Sequence, residues 1–353
     1  MKYISVQPDN TYFHWQVEVY IENFISVGIN PKNINVIFMT GTSPSSKVIE
    51  LKNKYPNVYF YFYEDDRMDK SYIPSIKPWG MFRHFSENKY LENERIFYHD
   101  SDIIFRDKID ETLFIDDKCY MSDTISYIGY NYCVSKGVEQ LEKMVNIVGI
   151  NVDIIKSSQE SSGGAQYVMN SIQTKYWEKV YNDSNSLYKL MENIELNDKQ
   201  NGTFSPGKAI NYPIQKWCAE MWATLWNLWY FGYKTEVHKE LNFSFATSPI
   251  SEWHDRKIMH NAGVINSNNG LFYKGDYINK LPYNENLSIK EDTVSSKYWE
   301  WIVKTGEKSC LIQNIKINKE IYGGSSYSDI IKLRIINSKI NTSLIMVING
   351  VIT

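Results

Sequence analysis

The chain has 353 residues, 43% hydrophobic and 22% charged, with a net charge of −3 and ten Trp, 27 Tyr and 15 Phe. This ordinary globular composition supports one large core with at most a small appended region, and the slightly acidic balance provides no overall basic field to collect polyanions. Cys119, Cys133, Cys218 and Cys310 form no C-x-x-C pair, so neither a zinc ribbon nor a disulfide framework is indicated, and a reducing, cytoplasmic compartment fits best. The apolar segment after Met1 runs at once into Gln7-Pro-Asp9 and no other run is long enough to cross a bilayer, so no membrane partner is expected.

The first hundred residues alternate β-type runs with helical patterns, which predicts βαβ units, an α/β class and a mostly parallel sheet. Strands are predicted at Tyr3–Val6, Ile34–Met39, Val58–Tyr63 and Arg95–Tyr98, with helices near Phe13–Ile29, Ser46–Tyr55 and Lys77–Asn88 between them. Gln7, Asp9, Thr40 and Glu64 close these strands, at the carboxyl ends where such sheets bind ligands. Farther on, Met121–Tyr132 reads as strands, Gly137–Val148 and Gln166–Lys189 as helices, Asn197–Asn211 as a loop, and Gln215–Phe231 as a tryptophan-dense helix. From Lys308 onward the Ile- and Asn-rich runs read as β-type, which divides the chain into a main domain over 1–308 and an extension over 309–353.

Four stretches carry chemistry. His99-Asp-Ser-Asp-Ile-Ile-Phe105 ends a predicted buried strand; alternation places Asp100 and Asp102 on one side, able to hold a hard cation, Mn²⁺ or Mg²⁺, that also grips a diphosphate. His260-Asn-Ala-Gly263, followed by Lys274, offers an imidazole as third ligand, a glycine that lets backbone approach phosphates, and a point charge for them. Ser161-Ser-Gly163-Gly164-Ala-Gln166 reads as a turn opening a helix, whose backbone N–H groups face a ligand. In Gln215–Asn227, Glu220 stands among Trp217, Trp222 and Trp226, an acid beside aromatic walls suited to a sugar. Taken singly, each stretch also has a bland reading: a surface loop, a core histidine, a capped helix, a core helix with one solvated Glu.

In their order along the chain these pieces resemble GT-A glycosyltransferases related to plant hydroxyproline O-arabinosyltransferases and to peptidyl serine α-galactosyltransferases. The segments that carry the resemblance are Trp15-Gln16, Lys77-Pro-Trp79, His99–Asp102, Gly163–Gln166, Gln215–Trp222 and His260–Gly263, within roughly residues 1–275. The resemblance implies a GT-A, Rossmann-like sheet flanked by helices, a UDP-sugar donor, Mn²⁺ dependence and retention of anomeric configuration. It implies metal ligation by Asp100, Asp102 and His260, and diphosphate contacts from Lys77 and Lys274. Gly163, Gly164, Gln166 and Glu220 are placed by it against sugar or acceptor, with Glu220 on the β face of the sugar and Gln215 or Gln166 as substitutes if no covalent intermediate forms. Gln7, Asp9 and Gly263 complete the expected donor contacts.

The acceptor is expected to be a hydroxyl on a protein or glycan. A modified base in DNA would be a different acceptor, for which Arg67–Lys70 and Lys332–Lys339 are the basic candidates. The same residues would also suit a nucleotide-sugar binding protein without catalysis, or a metal phosphohydrolase.

Overall fold

The computed structural model describes residues 1–201 and 214–321, with side chains described through Ser309. In chain order the elements are β1 (Lys2–Pro8), α1 (Thr11–Ser26), β2 (Ile34–Thr40), α2 (Ser46–Lys54), β3 (Tyr59–Glu64), α3 (Ile76–Glu87), β4 (Arg95–Tyr98), β5 (Ile103–Phe105) and β6 (Cys119–Asp123). They continue with α4 (Ile125–Ile128), α5 (Tyr130–Lys136), α6 (Val138–Val148), α7 (Val152–Ser157), β7 (Gly163–Asn170), α8 (Thr174–Gln200), α9 (Ala219–Tyr230), β8 (Thr235–Val237), β9 (Phe243–Phe245), α10 (Ile250–Asp255), β10 (Ile258–His260) and α11 (Ser295–Ile321). The chain divides into two compact units after Ile302, and the candidate site lies wholly in the first.

Seven strands form the main sheet in the order β3-β2-β1-β4-β7-β6-β8. The run β3-β2-β1-β4 is parallel, whereas β7 is antiparallel to both β4 and β6. The expected α/β class with a mostly parallel sheet flanked by helices is therefore what the chain forms. β2 is buried at every residue, as a central parallel strand covered on both faces must be. Its side chains alternate between two cores: Ile37 and Met39 join Ile4 and Val6 beneath α3, α8 and α9, while Val36 and Phe38 join Tyr3 on the α1 face. On the first face α3 lies very close to the sheet. A Cβ on Gly80 would stand 2.4 Å from Val6 Cγ1 and 2.8 Å from Met39 Sδ, so only glycine admits that approach. Lys77 sits one turn earlier on the same helix.

Three expectations need correction. Gly163–Gln166 does not open a helix; it is the first half of β7, buried throughout, and the predicted helix from Gln166 divides into this strand, a turn at Ser171 with φ of 52°, and α8. Small residues read equally well as a helix start or as a strand squeezed between neighbours, and packing decided for the strand. Met121–Tyr132 is strand only to Asp123; Ile125 to Ile128 and Tyr130 to Cys133 are three apart and form short helices. The residues just after Lys308 are helical through Ile321, where Leu311 and Ile315 keep a four-residue spacing. The remainder of the predicted extension, and most of the predicted loop after Asn201, lie outside the described residues.

Candidate metal centre and active site

β4 is the last strand of the parallel run, and the His99 N–H still donates to the Ile4 carbonyl at 3.1 Å. The chain then leaves the sheet, so Asp100–Asp102 forms a turn at the carboxyl ends of β1 and β4, where open α/β sheets bind ligands. β5 follows directly and pairs antiparallel with β10 in a second, three-stranded sheet, with Ile103 opposite His260. The Asn261 N–H donates to the Asp102 carbonyl at 2.9 Å, locking the two segments together. This pairing brings the distant histidine to the two aspartates. One ligand atom from each of Asp100, Asp102 and His260 lies within 4.8 Å of the others, with His260 Nε2 3.2 Å from Asp102 Oδ1 and 3.6 Å from Asp100 Oδ2. His99, in the same stretch, belongs to the core: its ring stacks on Phe97 and Nδ1 reaches the Asp100 carbonyl at 2.8 Å.

Two lysines bind these carboxylates. Lys274 pairs with Asp102, and Lys77 Nζ lies 2.8 Å from Asp100 Oδ1 and 3.0 Å from Glu220 Oε2. Burial alone would lower the Lys77 pKa, but attraction to Asp100 and Glu220 overrides it and raises the pKa. Burial likewise pushes Asp102 up, yet Lys274 and His260 hold it well below the usual carboxylate range. Asp102 likewise raises the Lys274 pKa against the lowering effect of burial, so both lysines are held protonated, Lys274 beside ionised Asp102 and Lys77 beside Asp100 and Glu220.

Glu220 is brought to the site but is fully engaged. Only 4% exposed, it accepts from the Tyr98 hydroxyl at 2.9 Å through Oε1 and from Lys77 through Oε2. The Tyr72 hydroxyl fastens this region: it accepts from the Glu220 N–H at 3.0 Å and donates to the Trp217 carbonyl at 2.7 Å. The expected aromatic walls are not there, because Trp222 and Trp226 are fully buried in the core; Trp217, by contrast, is 69% exposed.

The other predicted residues divide sharply. A Cβ on Gly163 would stand 2.5 Å from the Ser122 carbonyl, so packing requires that glycine, whereas one on Gly164 would meet first Met221 Cε, at 2.6 Å, the mobile end of a side chain. Gln166 is buried, accepting from the Ser122 hydroxyl at 2.8 Å, with Nε2 unpaired. Gln215 is exposed, and its N–H donates to the Tyr132 hydroxyl. Gln7 donates to the Ile37 carbonyl. Asp9 accepts from the Ser45 N–H at 2.7 Å and its hydroxyl at 2.6 Å and contacts His14, tying β1 to the N-cap of α2. Among the described residues, no hydrogen bond links Gln7, Asp9, Gln166 or Gln215 to the Asp100–Asp102 turn. Gly263 has φ of 87°, a conformation that favours glycine.

Sequence reasoning missed Tyr98 and Tyr72. Tyr98 lies two residues before Asp100 and shares its side of the strand by alternation, a signal that was available. Tyr72 carried none. Of the basic DNA candidates, Arg67 is 6% exposed and engaged with Asp65 and Ser75, so it offers no free charge; Lys332–Lys339 lies outside the described residues. Among those residues no helix is long and apolar enough to cross a membrane, and Cys119, Cys133 and Cys218 are free and buried. A cavity of about 480 Å³ lies elsewhere, at the far end of β5, lined by Arg106, Lys108, Trp253 and Trp301; it shares no residue with the cluster.

No protein-family model and no curated protein matches the chain. Among solved structures it is similar to the apo form of the bifunctional glycosyltransferase WbbM, with 12% identity and a TM-score of 0.44 over 86% of this chain and 49% of that one. The galactosyltransferase LgtC, in complex with donor and acceptor sugar analogs, gives 11% identity and 0.39 over 86% and 95%. The glycosyltransferase GlyE of Streptococcus pneumoniae TIGR4 gives 10% and 0.39 over 86% and 60%. The chain thus spans about half the length of WbbM and three fifths of GlyE. Likenesses this slight leave function to be argued from the site itself.

Proposed function

We propose that this protein is a metal-dependent glycosyltransferase that moves a sugar from a UDP-sugar to a hydroxyl acceptor with retention of configuration. The observation that carries the reading is the cluster of Asp100, Asp102 and His260 at the carboxyl end of the parallel strands, flanked by two half-buried lysines. Two carboxylates and an imidazole suit a divalent cation of the Mn²⁺ type. The charge pattern fits too: ammonium groups lie against both Asp100 and Asp102, where a divalent cation would take their place, and Lys77 would keep its second partner, Glu220. Asp100, Asp102 and His260 would hold that cation, which would supply electrophilic stabilisation of the departing diphosphate. The motif order described from the sequence supports the donor class and the stereochemistry.

In the transfer, the bond between the donor's anomeric carbon and the diphosphate oxygen breaks, the acceptor oxygen bonds to that carbon, and the acceptor's proton leaves with the diphosphate. Lys77 and Lys274 supply positive charge to the diphosphate. Glu220 serves as a positioning residue: with one oxygen on Tyr98 and the other on Lys77, it keeps the ammonium in the cleft when Asp100 turns to the cation. Gly263, at φ of 87° three residues after His260, takes a backbone turn that a side chain would strain. A phosphohydrolase built on two metals finds less support, since among the described residues this is the single such cluster. Hydrolysis and thermal shift with a panel of UDP-sugars test the proposal. One sugar should stabilise the protein and be hydrolysed with Mn²⁺ and not with EDTA; a folded protein that answers to none contradicts it.

A further inference from the structure

Trp217 is the largest apolar side chain left open to solvent among the described residues, 69% exposed, and Ile73 is 59% exposed. The Tyr72 hydroxyl donates to the Trp217 carbonyl and accepts from the Glu220 N–H, and Ile73 follows Tyr72 in the chain. Those same segments deliver the cleft groups: Lys77 lies four residues after Ile73, and Glu220 three after Trp217. Trp217, three residues before Glu220 and tied to it through the Tyr72 hydroxyl, therefore stands at the edge of the candidate site. Tyr72 itself is held by its ring stacked on Tyr188 at 4.6 Å and 18°.

Charges around this edge are already matched. Lys216 pairs with Glu195 at 3.0 Å, Lys189 with Asp69 at 2.6 Å, and Arg67 with Asp65 at 2.8 Å. Such a rim exerts no net pull on a phosphate backbone or an acidic peptide. An open indole with matched polar groups around it suits a ring that presents C–H bonds on one face and hydroxyls at its edge.

We propose that Trp217 is the acceptor platform and that the acceptor is an uncharged saccharide, its ring laid on the indole so that a hydroxyl enters the cleft at Lys77 and Glu220. This rests on the glycosyltransferase reading and adds the class of acceptor. The test uses the full chain with Mn²⁺, the UDP-sugar that stabilises it, and two acceptor sets: methyl glycosides and disaccharides of common hexoses and pentoses, and serine- or hydroxyproline-containing peptides. Transfer to at least one saccharide is expected, with acceptor KM rising at least tenfold in Trp217→Ala, kcat changing far less, and Trp217→Tyr restoring most of the loss. The UDP-sugar thermal shift should persist in Trp217→Ala. Three results overturn the proposal: donor hydrolysis with transfer only to peptides or to nothing, an unchanged acceptor KM in Trp217→Ala, or a drop of several degrees in Tm showing that Trp217 is packed. If the wild type binds no UDP-sugar, it is the glycosyltransferase reading that fails.

Discussion

Two stretches suggested ligand contact, His99–Phe105 and Ser161–Gln166, and they turn out to be built on opposite principles. In the first, Asp100 and Asp102 leave the sheet and gather His260 and two lysines, so charge accumulates around the buried Asp102, at a cost in desolvation that stability alone does not explain. In the second, both glycines lie buried within β7, and at Gly163 Met121 and the Ser122 carbonyl leave no room for a Cβ. The difference teaches that concentrated charge marks a site, whereas small residues mark only close approach, to a ligand or to another strand.

The sharpest way to break this comparison is Asp102→Asn. Loss of one ligand should lower Mn²⁺-dependent donor hydrolysis by about 10²-fold or more, since even residues that merely support metal ligands typically cost about 10–100-fold; activity within a few-fold of wild type would refute the metal role. Gly163→Ala sharpens the other side. With its Cβ forced against the Ser122 carbonyl, it should destabilise by about 1–3 kcal/mol in urea unfolding, while the folded fraction keeps its affinity for Mn²⁺ and UDP. A loss of affinity at full stability would return Gly163 to the ligand.

The contrast recurs within α3, which carries Lys77 toward the cleft and buries His84 in the core. Burial lowers the His84 pKa to about 4, so as pH falls below 6.5 the unfolded chain takes up a proton that the folded chain refuses. Stability is complete above about pH 6.5 and declines toward pH 4, by roughly 1.4 kcal/mol per unit from this residue. Between pH 7 and pH 5, His84→Gln should therefore lose about 2 kcal/mol less stability than wild type in urea unfolding; equal losses would mean that His84 is not held neutral. The smallest expected effect is that of Glu220→Gln, which keeps the Tyr98 hydrogen bond and drops the charge on Lys77. Activity should fall about tenfold, mainly through a raised donor KM, whereas a collapse of kcat by about 10³-fold at unchanged KM would make Glu220 a catalytic group instead.

Much of the fold was legible in the sequence. β1–β4 and α1–α3 begin and end within a few residues of expectation, because buried parallel strands and amphipathic helices imprint their periods directly. Asp100 and Asp102 were legible because their chemistry is compressed into three residues. His260 and Lys274 could be named as candidates from their chemistry but not joined to the aspartates, since the β5–β10 pairing that brings His260 to Asp102 and the Lys274–Asp102 contact are both long-range. The Glu220–Tyr98 and Glu220–Lys77 contacts were invisible for the same reason: they join α9 to β4 and α3 across the core. Trp217, Trp222 and Trp226 looked alike as letters, and only packing separates the exposed one from the buried two.

The central claim, that Asp100, Asp102 and His260 hold a divalent cation for a nucleotide-sugar donor, is tested most directly by Mn²⁺ binding followed by electron paramagnetic resonance, with and without UDP. The account predicts one Mn²⁺ per chain, tightened by UDP and lost in Asp102→Asn while the variant stays folded. Binding that is absent in the wild type, or indifferent to both UDP and the substitution, would contradict it.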